Sequence, residues 1–103
     1  MDASVRQRIQ QVLLRVCQHE VARAYFNEPV DLGMYPEYTS IVETPMDFGT
    51  IRRKLSQNAY PAVANVLHDA RLIFSNCRAF NDPTSDIMAD CRRLEAHFKS
   101  LWV

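Results

Sequence analysis

The chain has 103 residues, 48% apolar and 23% charged, with twelve basic and twelve acidic side chains and a net charge of zero. That composition suits one globular domain with a sizeable core, and it argues against a dedicated polycation for nucleic acid. No run of about 18 apolar residues offers a membrane span, and no basic, apolar, small-residue leader opens the chain. Cys17, Cys77 and Cys91 are odd in number and widely spaced, so they read as buried thiols in a reducing compartment rather than as a disulfide framework. The expectation is an intracellular chain, or a piece of a larger intracellular protein.

From Ala3 to about Ala22, the residues Val5, Ile9, Val12, Leu13, Val16 and Cys17 recur at helical spacing and form one face. A long connection follows, about residues 23 to 45. Loops beyond about 12 to 15 residues are uncommon in small domains and usually functional. This one contains Tyr25, Phe26, Val30, Leu32, Met34, Tyr35, Tyr38, Ile41 and Val42, so it has to pack. Pro29, Pro36 and Pro45 restrict its backbone, and Pro36 to Val42 predicts a brief helix. Phe48, Ile51 and Leu55 mark a short helix from about Asp47 to Asn58. After Pro61, which suits a helix start, Val63, Val66, Leu67, Ala70, Ile73, Phe74, Cys77 and Phe80 make a stripe about five turns long. The last stripe, Ile87, Met88, Cys91, Leu94, Phe98 and Leu101, runs to the end, with Ser85 as N-cap and Asp86 suiting the helix dipole. Only Asn81 to Thr84 joins the last two helices, which makes them antiparallel neighbours. The pattern is all-α with four bundle helices, forming a single domain over residues 1–103.

Catalysis finds little support. The sequence has no Gly-rich phosphate loop, GxSxG, HExxH or CxxC. His19 and Cys17 are two apart on a helix and diverge, as do His68 and Asp69. Cys91 and His97 are six apart, with no second pair at ligand spacing. Asp82, Asp86 and Asp90 read better as a polar first turn than as an acid/base set. The expectation is therefore a non-enzymatic chain with no cofactor and no metal. In an antiparallel bundle the first and third connections share one end, where they can build an apolar cleft with a few polar groups. Asn81, just past a helix and before Asp-Pro, fits two roles: a cap that turns the chain, or the polar group of that cleft.

Pro29-Val30-Asp31, Tyr35-Pro36-Glu37-Tyr38, Ile41-Val42, Thr44-Pro45-Met46-Asp47-Phe48, Tyr60 and Ile73-Phe74-Ser75-Asn76-Cys77 leading to Phe80-Asn81 together resemble a bromodomain. The resemblance covers essentially the whole chain, and the wording of the long loop is most similar to bromodomains of WD-repeat proteins. It implies a left-handed antiparallel four-helix bundle with helices Z, A, B and C, and a pocket for acetylated lysine between the ZA and BC loops. By resemblance, Asn81 donates to the acetyl carbonyl and Tyr38 reaches it through water. Val30 lines the pocket against the acetyl methyl, Phe26 is its floor, Ile87 its gatekeeper and Tyr35 part of its wall, with Pro29 and Phe80 also in the site. Pro45, Met46 and Asp47 are expected to shape the loop and start helix A, and Asn76 to bind loop backbone. The chain departs from the pattern where Ala24-Tyr25-Phe26 stands for Trp-Pro-Phe, where Phe80 replaces a tyrosine, and where the loop is short between Asp31 and Tyr35.

Acetylation turns an ammonium into a neutral amide, which an apolar cleft with one amide donor can accommodate while excluding the charge. Residues 24–51 carry five acids and no base, and residues 79–91 three more, again without a base. An acidic end of this kind favours a basic partner. The expected partners are acetylated histone tails or other acetylated proteins, in the nucleus, for a domain cut from a larger chromatin-associated protein. No membrane contact is expected, and neither is direct DNA contact by the opposite, more basic face. The competing reading is a helical interaction scaffold without useful ligand affinity.

Overall fold

Asp2 accepts a hydrogen bond from the Ser4 N–H at 2.7 Å, and that cap starts helix α1, Ala3–Cys17. In the computed structural model, which describes residues 1–102, this helix stops earlier than its apolar stripe predicts. The chain turns at Gln18 and His19, and His19 Nδ1 accepts from the Val21 N–H at 3.1 Å, a local bond that competes with helix continuation. A π-helical turn, Ala22–Phe26, then replaces the expected loop start, closed by the Asn27 N–H on the Ala22 carbonyl. Its wider winding buries Ala22 and Phe26 against the core.

The brief helix expected within residues 36–42 is α2, Tyr38–Ile41. Helix α3, Phe48–Ser56, is capped by buried Asp47, whose two carboxylate oxygens accept from the Thr50 N–H at 2.9 Å and the Thr50 hydroxyl at 2.7 Å. Helix α4, Val63–Phe80, begins two residues after Pro61, with Asn65 Oδ1 accepting from the Ala62 N–H at 3.0 Å. Helix α5 is Asp86–Leu101. Ser85 precedes it, but its hydroxyl donates back to the Asp82 carbonyl at 2.6 Å and does not cap the helix as expected. Val103, at the end of the last expected helix, lies outside the described residues.

The four longer helices form a four-helix bundle in which α1 and α4 each pack against both α3 and α5. Phe48, Phe74, Leu13, Ile51, Leu55, Leu94, Val16, Val66 and Cys91 are its fully buried centre. The rings of Phe48, Phe74 and Phe98 lie 5.9 to 6.4 Å apart, tilted and edge-on arrangements that aromatic pairs favour. All three cysteines are buried and free. No described helix is long and apolar enough to cross a membrane.

Two links fix the long loop to this frame. Asn27 donates through Nδ2 to the Cys17 carbonyl at 2.9 Å and accepts at its own carbonyl from the Gly49 N–H at 3.1 Å, tying the end of α1 to the start of α3. A Cβ on Gly49 would sit 2.5 Å from that carbonyl oxygen, so only glycine permits the approach. Further along, Asn76 on α4 donates to the Thr44 carbonyl at 2.8 Å, the loop-backbone contact expected of it.

Candidate functional site

Where the long loop meets the α4–α5 connection, a cavity of about 640 Å³ opens at one end of the bundle. Its size falls within the range of about 300 to 1,000 Å³ usual for small-ligand sites. Asn81, Tyr38, Val30, Phe26, Ile87, Tyr35, Phe80 and Pro29 all stand on its wall, although they come from the long loop, the end of α4 and the start of α5. The π-helical turn delivers Phe26 and α2 delivers Tyr38, both buried. Val30 follows the Pro29 turn half-buried, and Ile87 sits in the first turn of α5, packed against the core.

Asn81 ends α4 with an extended backbone, φ −104° and ψ 152°, so it is the helix cap and a cavity residue at once. Its backbone N–H donates to the Cys77 carbonyl at 3.1 Å, and its Nδ2 donates to the same oxygen at 3.0 Å. A side-chain amide has two N–H groups. The second has only the Cys77 sulfur nearby, at 3.5 Å, a weak acceptor that a ligand carbonyl oxygen would outcompete. The capping bond thus fixes the orientation of the amide and leaves it a donor for the cavity.

Three aromatic rings hold the adjoining wall. Phe80 lies edge-on between Tyr35, at 6.0 Å, and Tyr38, at 4.8 Å between centroids. With no hydroxyl, Phe80 is an apolar ring that braces both tyrosines. Burial, and then the neighbouring Cys77, push the Tyr38 phenol above its ordinary value, so it stays a neutral donor and acceptor at physiological pH.

Sequence reasoning missed several lining residues. Met46, expected to shape the loop, stands on the cavity wall, as do Ile73 and Cys77, which the stripe of α4 assigns to the core. At helical spacing a core position next to a cavity carries no separate signature, because both are apolar. Cys77 packs its sulfur 3.9 Å from that of Met88. A hydrogen bond from Cys91, against the opposing effect of burial and helped by Asn81, holds its thiol below the ordinary value, while the bond to Cys77 and burial push Cys91 up.

The rim is apolar and exposed: Tyr25 is 48%, Tyr35 43% and Met34 69% exposed. Ala24 and Tyr25, where the resemblance expects a tryptophan and a proline, line the cavity. The short stretch after Asp31 is a turn in which Asp31 Oδ1 accepts from the Gly33 N–H at 2.8 Å and the Asp31 carbonyl from Tyr35 at 3.0 Å. Of the eight acids in the two base-free segments, only Glu28 and Asp31 line the cavity, together with Arg23. The mouth is therefore less acidic than the sequence suggests. Asp47 is consumed by its cap, Asp82 accepts from the Thr84 N–H at 2.8 Å, and Asp90 pairs with Arg93 at 3.1 Å. Among the described residues, no group of three or more His, Cys, Asp or Glu side chains is placed to hold a metal ion.

A family model described as Bromodomain matches residues 9–93. This chain is a bromodomain. Its relatives include bromodomain adjacent to zinc finger domain protein 2B of Homo sapiens, 40% identical over 74 residues, which are 72% of this chain and 3% of that protein. Protein 2A of the same kind from Xenopus laevis is 36% identical over 91 residues, 88% of this chain and 5% of that protein. The bromodomain thus spans only a small part of the length of these relatives. Among solved structures, the second bromodomain of Candida albicans Bdf1, bound to an imidazopyridine, superposes with a TM-score of 0.89 at 34% identity, covering 99% of this chain and 100% of that one. Bromodomains are a reader family for acetylated lysine, associated with chromatin rather than with catalysis. The finer likeness to WD-repeat proteins rests on the loop wording alone.

Proposed function

We propose that this bromodomain binds acetylated lysine on histone tails, in the nucleus, and so recruits a larger protein to chromatin. The observation that carries the reading is Asn81, whose amide is oriented by the Cys77 carbonyl beside a cavity with Phe26, Val30, Tyr38 and Ile87 on its wall. In this reading the acetyl carbonyl accepts from Asn81 Nδ2, with Tyr38 reaching it through water. The methyl group rests against Val30 and Phe26, and the alkyl chain passes between Tyr35, Pro29 and Ile87. An ammonium in the same place would lose its hydration beside Val30 and Phe26, a cost of several kcal/mol that gives discrimination against unmodified lysine. With few contacts and a flexible tail to order, affinity is on the order of micromolar to millimolar.

The test is an array of acetylated and unmodified histone-tail peptides, followed by titration of the best pair in solution. Asn81→Ala removes a buried bond worth about 1 to 3 kcal/mol, so acetyl-peptide affinity falls roughly five- to 150-fold. The thermal midpoint stays within a few degrees, because the backbone cap on Cys77 survives. Acetyl-dependent binding that Asn81→Ala leaves unchanged refutes the assigned role. If no acetylated peptide binds at all, the domain is a scaffold.

A further inference from the structure

Three sulfurs meet where α4 packs against α5, and one of them belongs to the cavity. Cys77 stands four residues before Asn81, one helical turn, so the two side chains share a face. Cys77 lines the cavity, its sulfur lies 3.5 Å from Asn81 Nδ2, and the sulfur of Met88 packs 3.9 Å from it. From α5, the Cys91 thiol donates to Cys77. That bond favours the Cys77 thiolate, burial opposes it, and Asn81 and the charge of Arg78 add to the first, so the thiol lies below its ordinary value. Tyr38 is the titratable group that faces it from α2, and it stays neutral. Cys17 is pushed up by burial, Cys91 by its bond to Cys77 and by burial, and neither lines the cavity. The thiolate is the nucleophile of cysteine chemistry, so of three thiols one is both activated and open to a guest. Recognition of acetyl-lysine gives it no task.

We propose that Cys77 is a covalent acceptor for lysine carrying an α,β-unsaturated acyl group. The inference rests on the proposed function, because the docked carbonyl does the aiming. Its oxygen accepts from Asn81 Nδ2 at about 2.9 Å, and in taking that N–H it displaces the Cys77 sulfur and frees the sulfur's lone pair. Oxygen and sulfur are then two neighbours of one nitrogen, and the β carbon of the acyl group, two bonds beyond the carbonyl carbon, is delivered beside the thiolate. The sulfur adds to that carbon and forms one C–S bond. The electrons of the C=C π bond shift to the carbonyl oxygen as an enolate, which Asn81 stabilises as an oxyanion donor. The proton given up by the Cys77 thiol passes through water to the α carbon of the acyl group. Nothing leaves, and neither oxidant nor reductant is needed. An acetyl group has no such carbon and dissociates unchanged. Holding both reactants in one cavity replaces the high thiol concentration that an unactivated enamide otherwise requires. The domain is thus a reversible reader of saturated acyl-lysine and a trap for the unsaturated kind.

Mass spectrometry of the intact domain, incubated with a histone-tail peptide carrying Nε-acryloyl-lysine, tests it, with the acetyl-lysine twin as competitor. The expected result is one peptide mass per chain, mapped to Cys77 by digestion, formed at least about 100-fold faster than the adduct with glutathione under the same conditions. The acetyl twin at about ten times its Kd should slow it about tenfold. Asn81→Ala should slow it roughly five- to 150-fold, the factor by which carbonyl affinity falls. Cys77→Ser should abolish the adduct, and Cys17→Ser should leave it unchanged. Cys91 acts through Cys77 as a positioning residue, so Cys91→Ala should shift the pH profile of adduct formation upward, with thermal melts confirming that each variant folds; an unmoved profile overturns that role. No adduct from the wild type, an adduct on Cys17 or Cys91, or one that the acetyl twin does not slow overturns the proposal. Titration of the acetyl twin separates the two failures: acetyl binding without adduct overturns this inference alone, and loss of both overturns the reading beneath it as well.

Discussion

Asn81 and Gly49 show how differently single residues reveal themselves. Asn81 carries two legible roles, cap and cavity donor, and the structure has one amide in both, because a side chain with two N–H groups can serve the helix with one and face the cavity with the other. Gly49 reads in the sequence only as a neutral residue after Phe48. Its importance lies in a carbonyl 22 positions earlier, that of Asn27, which no local pattern could reveal. Gly49→Ala forces that oxygen away and with it the junction of α1, the π-helical turn and α3. The expected cost is about 1 to 3 kcal/mol, by the logic of overpacking, measurable as a lower urea midpoint with an unchanged slope. Met46 and Cys77 escaped assignment to the site for another reason: an apolar side chain looks the same whether its neighbour is a phenylalanine or a cavity.

At the scale of elements, apolar periodicity made all four bundle helices legible, and their ends were less so. Helix α1 stops at Cys17 because His19 bonds its own neighbourhood, and the π-helical turn leaves no trace in a 3.6-residue pattern. Equally hidden was the clamp between α3 and α4. Lys54 Nζ and the Tyr60 hydroxyl both donate to Asp69 Oδ2, at 2.8 and 2.6 Å, and the ammonium lies 4.6 Å from the Tyr60 ring centroid. Burial is the largest single influence on Asp69 and opposes its ionisation, but the bonds from Lys54 and Tyr60 together with the charge of Lys54 outweigh it and hold the carboxyl below its ordinary value. The same burial, then Asp69, drive the Tyr60 phenol up. A depressed carboxylate stabilises the fold above its unfolded pKa of about 3.9 and loses that contribution as pH falls through the folded value. Stability of the wild type should thus decline from about pH 5 downward. Asp69→Asn should be less stable at pH 7 and show a shallower acid decline, as followed by thermal melts across pH. Tyr60→Phe removes a buried bond to a charged group and should cost about 1.5 to 3 kcal/mol by chemical denaturation.

Taken as a whole molecule, the domain is neutral only in sum. Acids gather at the loop end and bases on α1 and α3, and that polarity was legible from the sequence because base-free segments are contiguous in the chain. Which acids reach the cavity was not, since capping and pairing occupy Asp47, Asp82 and Asp90 and the fold places only Glu28 and Asp31 on its wall. In the proposed function, that pair acts at a distance on a basic tail. Raising salt from about 50 to 500 mM should slow acetyl-peptide association several-fold in stopped flow while leaving dissociation nearly unchanged, and Glu28→Gln with Asp31→Asn should remove most of that dependence.

The two hydrogen bonds from Asn81 onto the Cys77 carbonyl have a mechanical side. A guest held by the Asn81 amide is in series with the last turn of α4, and the path continues along that helix to Phe74, in the centre of the bundle. Tension on a captured tail is therefore carried by the longest helix and its hydrogen-bond ladder. The loops that shape the cavity bear little of that load, and their own links, Asn27 to α1 and α3 and Asn76 to Thr44, keep the walls in place while the anchor beneath them holds.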